Sequence, residues 1–96
     1  MRKSNAENLS EIIRQFLRQE GLETPYNEYK AVQAWNNVVG ERFSKYTGNV
    51  FMKNQTLYVE IKSAAAKQEL QMRKTSLMEQ INNAVGAKVV YDIHFK

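Results

Sequence analysis

Cysteine is absent from this 96-residue sequence, which also has only one histidine, one proline and four glycines. Without cysteine there is no disulfide, no thiolate nucleophile and no zinc site built on thiolate ligands. A hydroxyl nucleophile needs an activating base, usually histidine, and we interpret His94 as a solvent-facing strand residue. The aspartate and glutamate residues are also not spaced in the way that metal ligands are. The sequence therefore predicts a non-enzymatic protein without a metal site or cofactor.

Long apolar runs and glycine-rich loops are also missing. No apolar stretch approaches the roughly 18 residues of a membrane span, and the basic start of the chain lacks the apolar segment of a secretory signal. The glycines stand singly, so they form neither a phosphate-binding loop nor a dinucleotide fingerprint. We expect a soluble cytoplasmic protein with no membrane partner and no small-molecule substrate.

What is present is an ordinary globular composition with an uneven charge. Hydrophobic residues make up 43% and charged residues 25%, and no linker interrupts the chain, so we expect one domain over residues 1–96. Residues 1–29 hold four basic and five acidic residues (−1), whereas residues 30–96 hold ten basic and five acidic ones (+5). Such a basic half can attract nucleic-acid phosphates or can simply be a solvated lysine-rich face.

The start of the sequence has the periodicity of an amphipathic helix. Ser4 and Glu7 match a capping box, which predicts a helix from about Asn5 to Glu20 that Gly21 ends. The apolar residues at i, i+3, i+4 and i+7 share one face of this helix. They are Leu9, Ile12, Ile13, Phe16 and Leu17.

A second helix is predicted over residues 27–39, after a turn at Glu23–Pro25. Trp35 is in phase with the other apolar residues of this helix, so we expect its indole to anchor the core rather than to stack on a base. A further helical turn over residues 41–46 would pack Phe43.

Strand-like alternation follows. Residues 50–53 and 56–62 are predicted as two strands joined by a tight turn around Asn54. Successive side chains of the second strand point to opposite faces of the sheet. One face takes Leu57, Val59 and Ile61, and the other takes Tyr58, Glu60 and Lys62. This division predicts one covered face and one open face.

A long helix and a third strand complete the pattern. The helix is predicted over residues 64–85, with Ser63 as its cap and Gly86 at its end. In the final strand, one face would hold Val89, Tyr91, Ile93 and Phe95. The order is helix, helix, strand, strand, helix, strand. We therefore predict an α+β domain with a three-stranded sheet and helices packed on one face.

The candidate nucleic-acid surface combines the long helix with the open sheet face. Lys67 and Lys74 are seven residues apart and would share an exposed stripe with Gln71 and Met78. On the open face, Tyr58 can stack on a base or pack against a neighbouring strand. The predicted nucleic-acid-binding residues are Lys45, Tyr58, Lys62, Lys67, Arg73 and Lys74.

Five short segments carry a resemblance to a known protein family through their order and spacing along the chain. They are Trp35–Gly40, Thr56–Ile61, Ser63–Leu70, Ile81–Gly86 and Ile93–Phe95. With them the chain resembles the DciA-like family, which is associated with loading of the bacterial replicative helicase, and the leading helix looks similar too. The resemblance implies a fold similar to the KH domain, DNA binding, contact with the replicative helicase and no enzymatic activity.

The sequence departs from the family pattern at a few positions. Tyr46 stands where members often have histidine, and Ala65 and Ala66 stand where an early tryptophan often occurs. The Gly-x-x-Gly loop with which KH domains hold a nucleic-acid backbone is missing. Any phosphates that bind must therefore be held by other residues.

Three hypotheses follow. The first is a non-enzymatic nucleic-acid-binding adaptor of DNA replication that acts with the replicative helicase. The second is a protein-interaction module without a direct nucleic-acid role, whose partner docks on the open sheet face or on the first helix. The third is an RNA-binding domain, which rests on the KH likeness alone and is an analogy of fold.

Overall fold

The computed structural model describes residues 5–96, with side chains from Leu9 onward. In this range the elements are α1 (Asn5–Gln19), α2 (Glu23–Val39), α3 (Glu41–Ser44), β1 (Thr47–Lys53), β2 (Thr56–Ile61), α4 (Ala64–Met72), α5 (Lys74–Val85) and β3 (Asp92–Phe95). The capping interaction predicted between Ser4 and Glu7 lies outside the described residues. None of the helices described is long and apolar enough to cross a membrane.

The three strands form one mixed sheet in the order β1-β2-β3. β1 and β2 are antiparallel, and the φ angles of 51° at Asn54 and 63° at Gln55 fit a two-residue type I′ turn between them. β3 runs parallel to β2, with Tyr58 opposite His94, so the chain crosses over through α4 and α5 between these strands. The predicted hairpin is confirmed, although β1 begins earlier than expected, at Thr47.

One face of the sheet carries the core. The inward side chains of β2 and β3 are buried, namely Leu57, Val59, Ile61, Ile93 and Phe95. Trp35 of α2 is fully buried with them, and its ring centroid lies 6.1 Å from that of Phe95. The indole Nε1–H donates to Thr47 Oγ1 at 3.1 Å, which gives this buried donor its partner. The predicted α+β fold and the core position of Trp35 are confirmed.

The second helix begins four residues earlier than predicted, because Pro25 lies within its first turn. α2 starts at Glu23, and the Tyr26 N–H donates to the Leu22 carbonyl at 3.1 Å. The first N–H groups of a helix have no partner inside it, so the N–H that proline lacks is not needed there. The predicted turn at Glu23–Pro25 is wrong.

The long helix predicted over residues 64–85 is broken at Arg73. Its N–H donates to the Leu70 carbonyl, three residues back, and α5 begins at the next residue. α4 packs on β2, whereas α5 packs on α2 and β3, so the two segments follow different neighbours. Met78, predicted on an exposed stripe, is half-buried against the core. The prediction of a single helix over residues 64–85 is therefore wrong, and so is the prediction that Met78 is exposed.

The last strand is shorter than predicted, because Asn82 holds the segment before it. Asn82 Oδ1 accepts hydrogen bonds from the N–H groups of Val89 and Val90 at 3.0 and 2.9 Å, and Nδ2 donates to the Val90 carbonyl at 3.0 Å. Val90 is buried and Tyr91 is exposed, contrary to the predicted alternation. Regular alternation begins only at Asp92, the first residue of β3.

α1 is an amphipathic helix whose apolar face is left uncovered by the described chain. Leu9, Ile12 and Phe16 are 58%, 61% and 55% exposed, although α1 packs against α2. The helix ends as predicted at Gly21, whose φ is 71°. The periodicity therefore predicted the helix correctly, but the apolar face does not belong to the core.

Replacing Trp35 with alanine should lower the free energy of unfolding by about 3–5 kcal/mol, because a large cavity would remain under the sheet. Small domains have only about 5–15 kcal/mol of total stability, so chemical denaturation followed by circular dichroism will measure the loss. Trp35→Phe is the matched control, since it keeps an aromatic ring and removes only the Nε1–H donor and one ring. Trp35→Phe should lower the free energy of unfolding clearly less than Trp35→Ala does. An equal loss of stability in both variants would contradict the anchoring role of the ring.

Candidate nucleic-acid interface

The six residues predicted to bind nucleic acid lie in three places. Tyr58 and Lys62 are on the open face of the sheet, and Lys45 is next to the end of that face. Lys67 and Arg73 belong to α4 and its C-terminal end. Lys74 begins α5 and reaches β3. The structure thus joins parts of the set and does not gather the whole set into a single site.

A backbone hydrogen bond joins the segments that carry Lys45 and Lys62. The Lys62 N–H donates to the Tyr46 carbonyl at 2.8 Å, which holds the segment after α3 against the end of β2. Lys45 Nζ lies 5.3 Å from the centroid of the Tyr46 ring. Neither lysine takes part in an ion pair among the residues described. Both ammonium groups are therefore available to an anion.

Arg73 shares a carboxylate with an arginine that the sequence did not single out. Arg73 Nη2 lies 2.7 Å from Glu69 Oε2, and Arg42 Nη2 lies 3.4 Å from Glu69 Oε1. The two guanidinium groups lie 5.6 and 5.0 Å from the centroid of the Phe43 ring. Two cations face one carboxylate, so this cluster keeps a net positive charge. Only the tertiary contact between Arg42 and Glu69 could have revealed Arg42.

Lys74 is engaged in an ion pair with the last strand. Its Nζ lies 2.9 Å from Asp92 Oδ1. This hydrogen bond, helped by one from the Ile93 N–H and by the charges of Lys74 and His94, holds the pKa of the Asp92 carboxyl below its ordinary value. A phosphate at Lys74 would have to compete with Asp92. Lys67, by contrast, is half-buried and makes no ion pair in the described part of the chain.

Tyr58 belongs to a row of rings that crosses the open face. The register places Phe51 of β1 and His94 of β3 on either side of it. The centroids of Phe51 and Tyr58 are 5.0 Å apart with an interplanar angle of 7°, and those of Tyr58 and His94 are 5.4 Å apart. His94 is exposed, as predicted. Tyr58 therefore does pack across the strands, and it does so as the middle of three rings.

Sequence reasoning missed Phe51 and Lys96 as parts of this face. The alternation of Phe51 with Val50 and Met52 was a usable signal, because it places the Phe51 ring on the side opposite the core. Lys96 Nζ lies 5.6 Å from the Phe51 centroid, a contact across the width of the sheet. Only the strand register could supply that contact.

The described residues near the open face offer charges and aromatic rings. No group of three or more histidine or carboxylate side chains among all the residues described lies close enough to hold a metal ion. The arrangement is suited to binding by electrostatic attraction and by stacking.

Comparison with known protein families gives a match over nearly the whole chain. The family described as "Dna[CI] antecedent, DciA" matches residues 8–95. The chain therefore belongs to the DciA family, a family associated with loading of the replicative helicase. The resemblance noted in the sequence is confirmed. No curated protein matches the chain at a significant level.

Replacing Lys74 with glutamine should raise the pKa of Asp92 toward its ordinary value, because the main hydrogen bond and the nearby charge are lost. The carboxyl chemical shift of Asp92, followed by NMR during a pH titration, will measure the change. The pKa of Asp92 is lower in the folded protein than in the unfolded chain. The Lys74–Asp92 pair therefore stabilises the fold fully at pH values above the ordinary carboxyl pKa, and this stabilisation is lost as the pH falls through the lowered pKa of the folded protein. An unchanged titration in the variant would show that Lys74 does not hold Asp92 in solution.

Proposed function

We propose that this member of the DciA family is a non-enzymatic adaptor that binds DNA and acts with the replicative helicase in the cytoplasm. The observation that carries the proposal is the family match over residues 8–95. The proposal has two parts, a phosphate-binding surface and a helicase-binding surface, and different residues support each of them.

The phosphate-binding part rests on cations that carboxylates do not neutralise. Lys45, Lys62 and Lys67 make no ion pair in the part of the chain that the structure describes. Arg42 and Arg73 share the single carboxylate of Glu69. Because exposed cations release counterions when they neutralise phosphates, such a surface binds DNA with an affinity that falls steeply with salt.

Changing Lys45, Lys62 and Lys67 together to glutamine should weaken DNA binding and reduce its salt dependence. Each lysine that contacts a phosphate contributes about 1 to the slope of log K against log salt, so the slope should fall by about 2–3. Fluorescence anisotropy of labelled single-stranded and duplex DNA at several salt concentrations will measure both effects.

The matched control removes the same charge from other faces, by changing Arg14, Lys30 and Lys88 to glutamine. Thermal unfolding of both triple variants should stay close to that of the parent protein, because all six changes are at or near the surface. If the control weakens DNA binding as much as the test variant, only net charge matters and the assigned surface is wrong.

The helicase-binding part rests on α1. Its exposed residues Leu9, Ile12 and Phe16 form an apolar face on a single helix, and contiguous apolar surface of this kind marks sites of protein contact. Beside it, a cleft of about 310 Å³ runs between α1 and α2, with Ile13 and Leu17 in its lining. We assign this face to the helicase. It is also the observation that favours the rival hypothesis of a protein-interaction module without a DNA role.

Changing Ile12 and Phe16 together to glutamine should weaken helicase binding by roughly tenfold or more, because each buried apolar side chain of this size contributes about 1.5–3 kcal/mol. Binding to the purified replicative helicase of the same organism, after nuclease treatment of both proteins, will measure it. DNA binding should be unaffected. The control is Glu11→Gln with Arg18→Gln, two residues on the opposite side of the same helix whose loss leaves the net charge unchanged. Helicase binding that survives in the Ile12 and Phe16 variant would remove α1 from the interface.

A further inference from the structure

The open face of the sheet carries a column of rings with one ring from each strand. Phe51, Tyr58 and His94 occupy consecutive cross-strand positions. Phe51 and Tyr58 are stacked nearly parallel, at 5.0 Å between centroids and 7° between planes, and His94 is tilted against Tyr58 at 5.4 Å. The three rings therefore pack against one another across the width of the sheet, and the flat face of Phe51 that points away from Tyr58 is the end of the column.

This column ends in an exposed ring. Phe51 is 41% exposed and lies on β1, which is an edge strand of the sheet. The core lies on the other face of the sheet, where Leu57, Val59 and their neighbours are buried. An aromatic ring that reaches the edge of a sheet can be extended by another flat ring stacked against it.

Lysines surround the column. Lys96 Nζ lies 5.6 Å from the centroid of Phe51. Lys53 is two residues from Phe51 on the same strand face, roughly 7 Å away, and Lys62 is four residues from Tyr58, roughly 13 Å away. None of these three lysines is in an ion pair within the described residues.

The two carboxylates on this face are each engaged with other groups. Glu60 Oε1 accepts a hydrogen bond from the Asn49 N–H at 3.2 Å and lies over Gly48, where a side chain would collide with it. Asp92 is paired with Lys74 at 2.9 Å. The face thus combines aromatic surface with an excess of cations, which complements the bases and phosphates of a nucleic-acid strand and does not suit an apolar protein surface.

We propose that a base of single-stranded DNA stacks on the outer face of Phe51, at the end of the Phe51–Tyr58–His94 column, while Lys53, Lys62 and Lys96 hold the phosphates on either side. This inference rests on the proposed DNA-binding function and adds to it the form of DNA that this face accepts. In a duplex the bases are paired and stacked on one another, so their flat faces are not available to a protein ring. A single strand offers those faces, and the column prefers it for that reason.

The test compares three labelled probes by fluorescence anisotropy at one salt concentration: an oligothymidylate, an abasic strand of the same length, and a duplex of the same length. The parent protein should bind the oligothymidylate at least about fivefold more tightly than the abasic strand, since each stacked base contributes about 1–3 kcal/mol. Phe51→Leu, which keeps an apolar strand residue and removes the ring, should abolish most of that difference. Binding of the abasic strand should stay unchanged.

Two controls separate stacking from folding. Tyr91→Leu removes an exposed ring that lies outside the column and should keep the preference for the oligothymidylate. Circular dichroism should give the same thermal transition for Phe51→Leu as for the parent protein, and Tyr58→Leu gives a second test if it does not.

The outcomes are distinct. Salt-dependent binding of all three probes with equal affinity for the oligothymidylate and the abasic strand would overturn the stacking column and leave the phosphate-binding function intact. A preference that survives removal of the ring in both column variants would also overturn it. No binding of any probe at low salt would overturn the DNA-binding function itself.

Discussion

Burial of the Trp35 indole is the constraint on which much of the structure depends. A buried N–H donor left without a partner costs about 1–3 kcal/mol, and Thr47 supplies the partner at the start of β1. The Thr47 hydroxyl in turn donates to the Phe43 carbonyl of α3 at 3.2 Å. One side chain and one hydroxyl therefore tie α2, α3 and β1 together, and the contact of the indole with Phe95 adds β3.

This anchoring divides the sheet into two faces with different chemistry. The covered face holds the apolar residues of β2 and β3. The opposite face keeps aromatic and charged side chains, of which Phe51, Tyr58 and His94 lie in one row. The DNA-binding role that we propose uses the open face, the adjoining end of β2 and Lys67 of α4, because the covered face of the sheet is filled by the core.

The charges near that face are not equivalent. Arg73 and Lys74 already face carboxylates, whereas Lys45 and Lys62 do not in the described chain. A phosphate gains less binding free energy at a cation that must first give up its contact with a carboxylate. The exposure of a lysine is therefore by itself a poor guide to whether that lysine binds a phosphate. The apolar face of α1 is a separate surface of different chemistry, so in the function that we propose the helicase and the nucleic acid would be held by independent contacts.

Local periodicity by itself determined the existence of most elements, the hairpin turn at Asn54 and the split of β2 into a buried and an open side, because side-chain direction in helices and strands follows from backbone geometry. The tertiary structure alone decided the break at Arg73, the bend that Asn82 imposes before β3, the exposure of the α1 apolar face and the row that joins Phe51 to Tyr58 and His94. Those features depend on which elements meet in space. Residues that meet in space but are far apart in sequence leave no periodic signal.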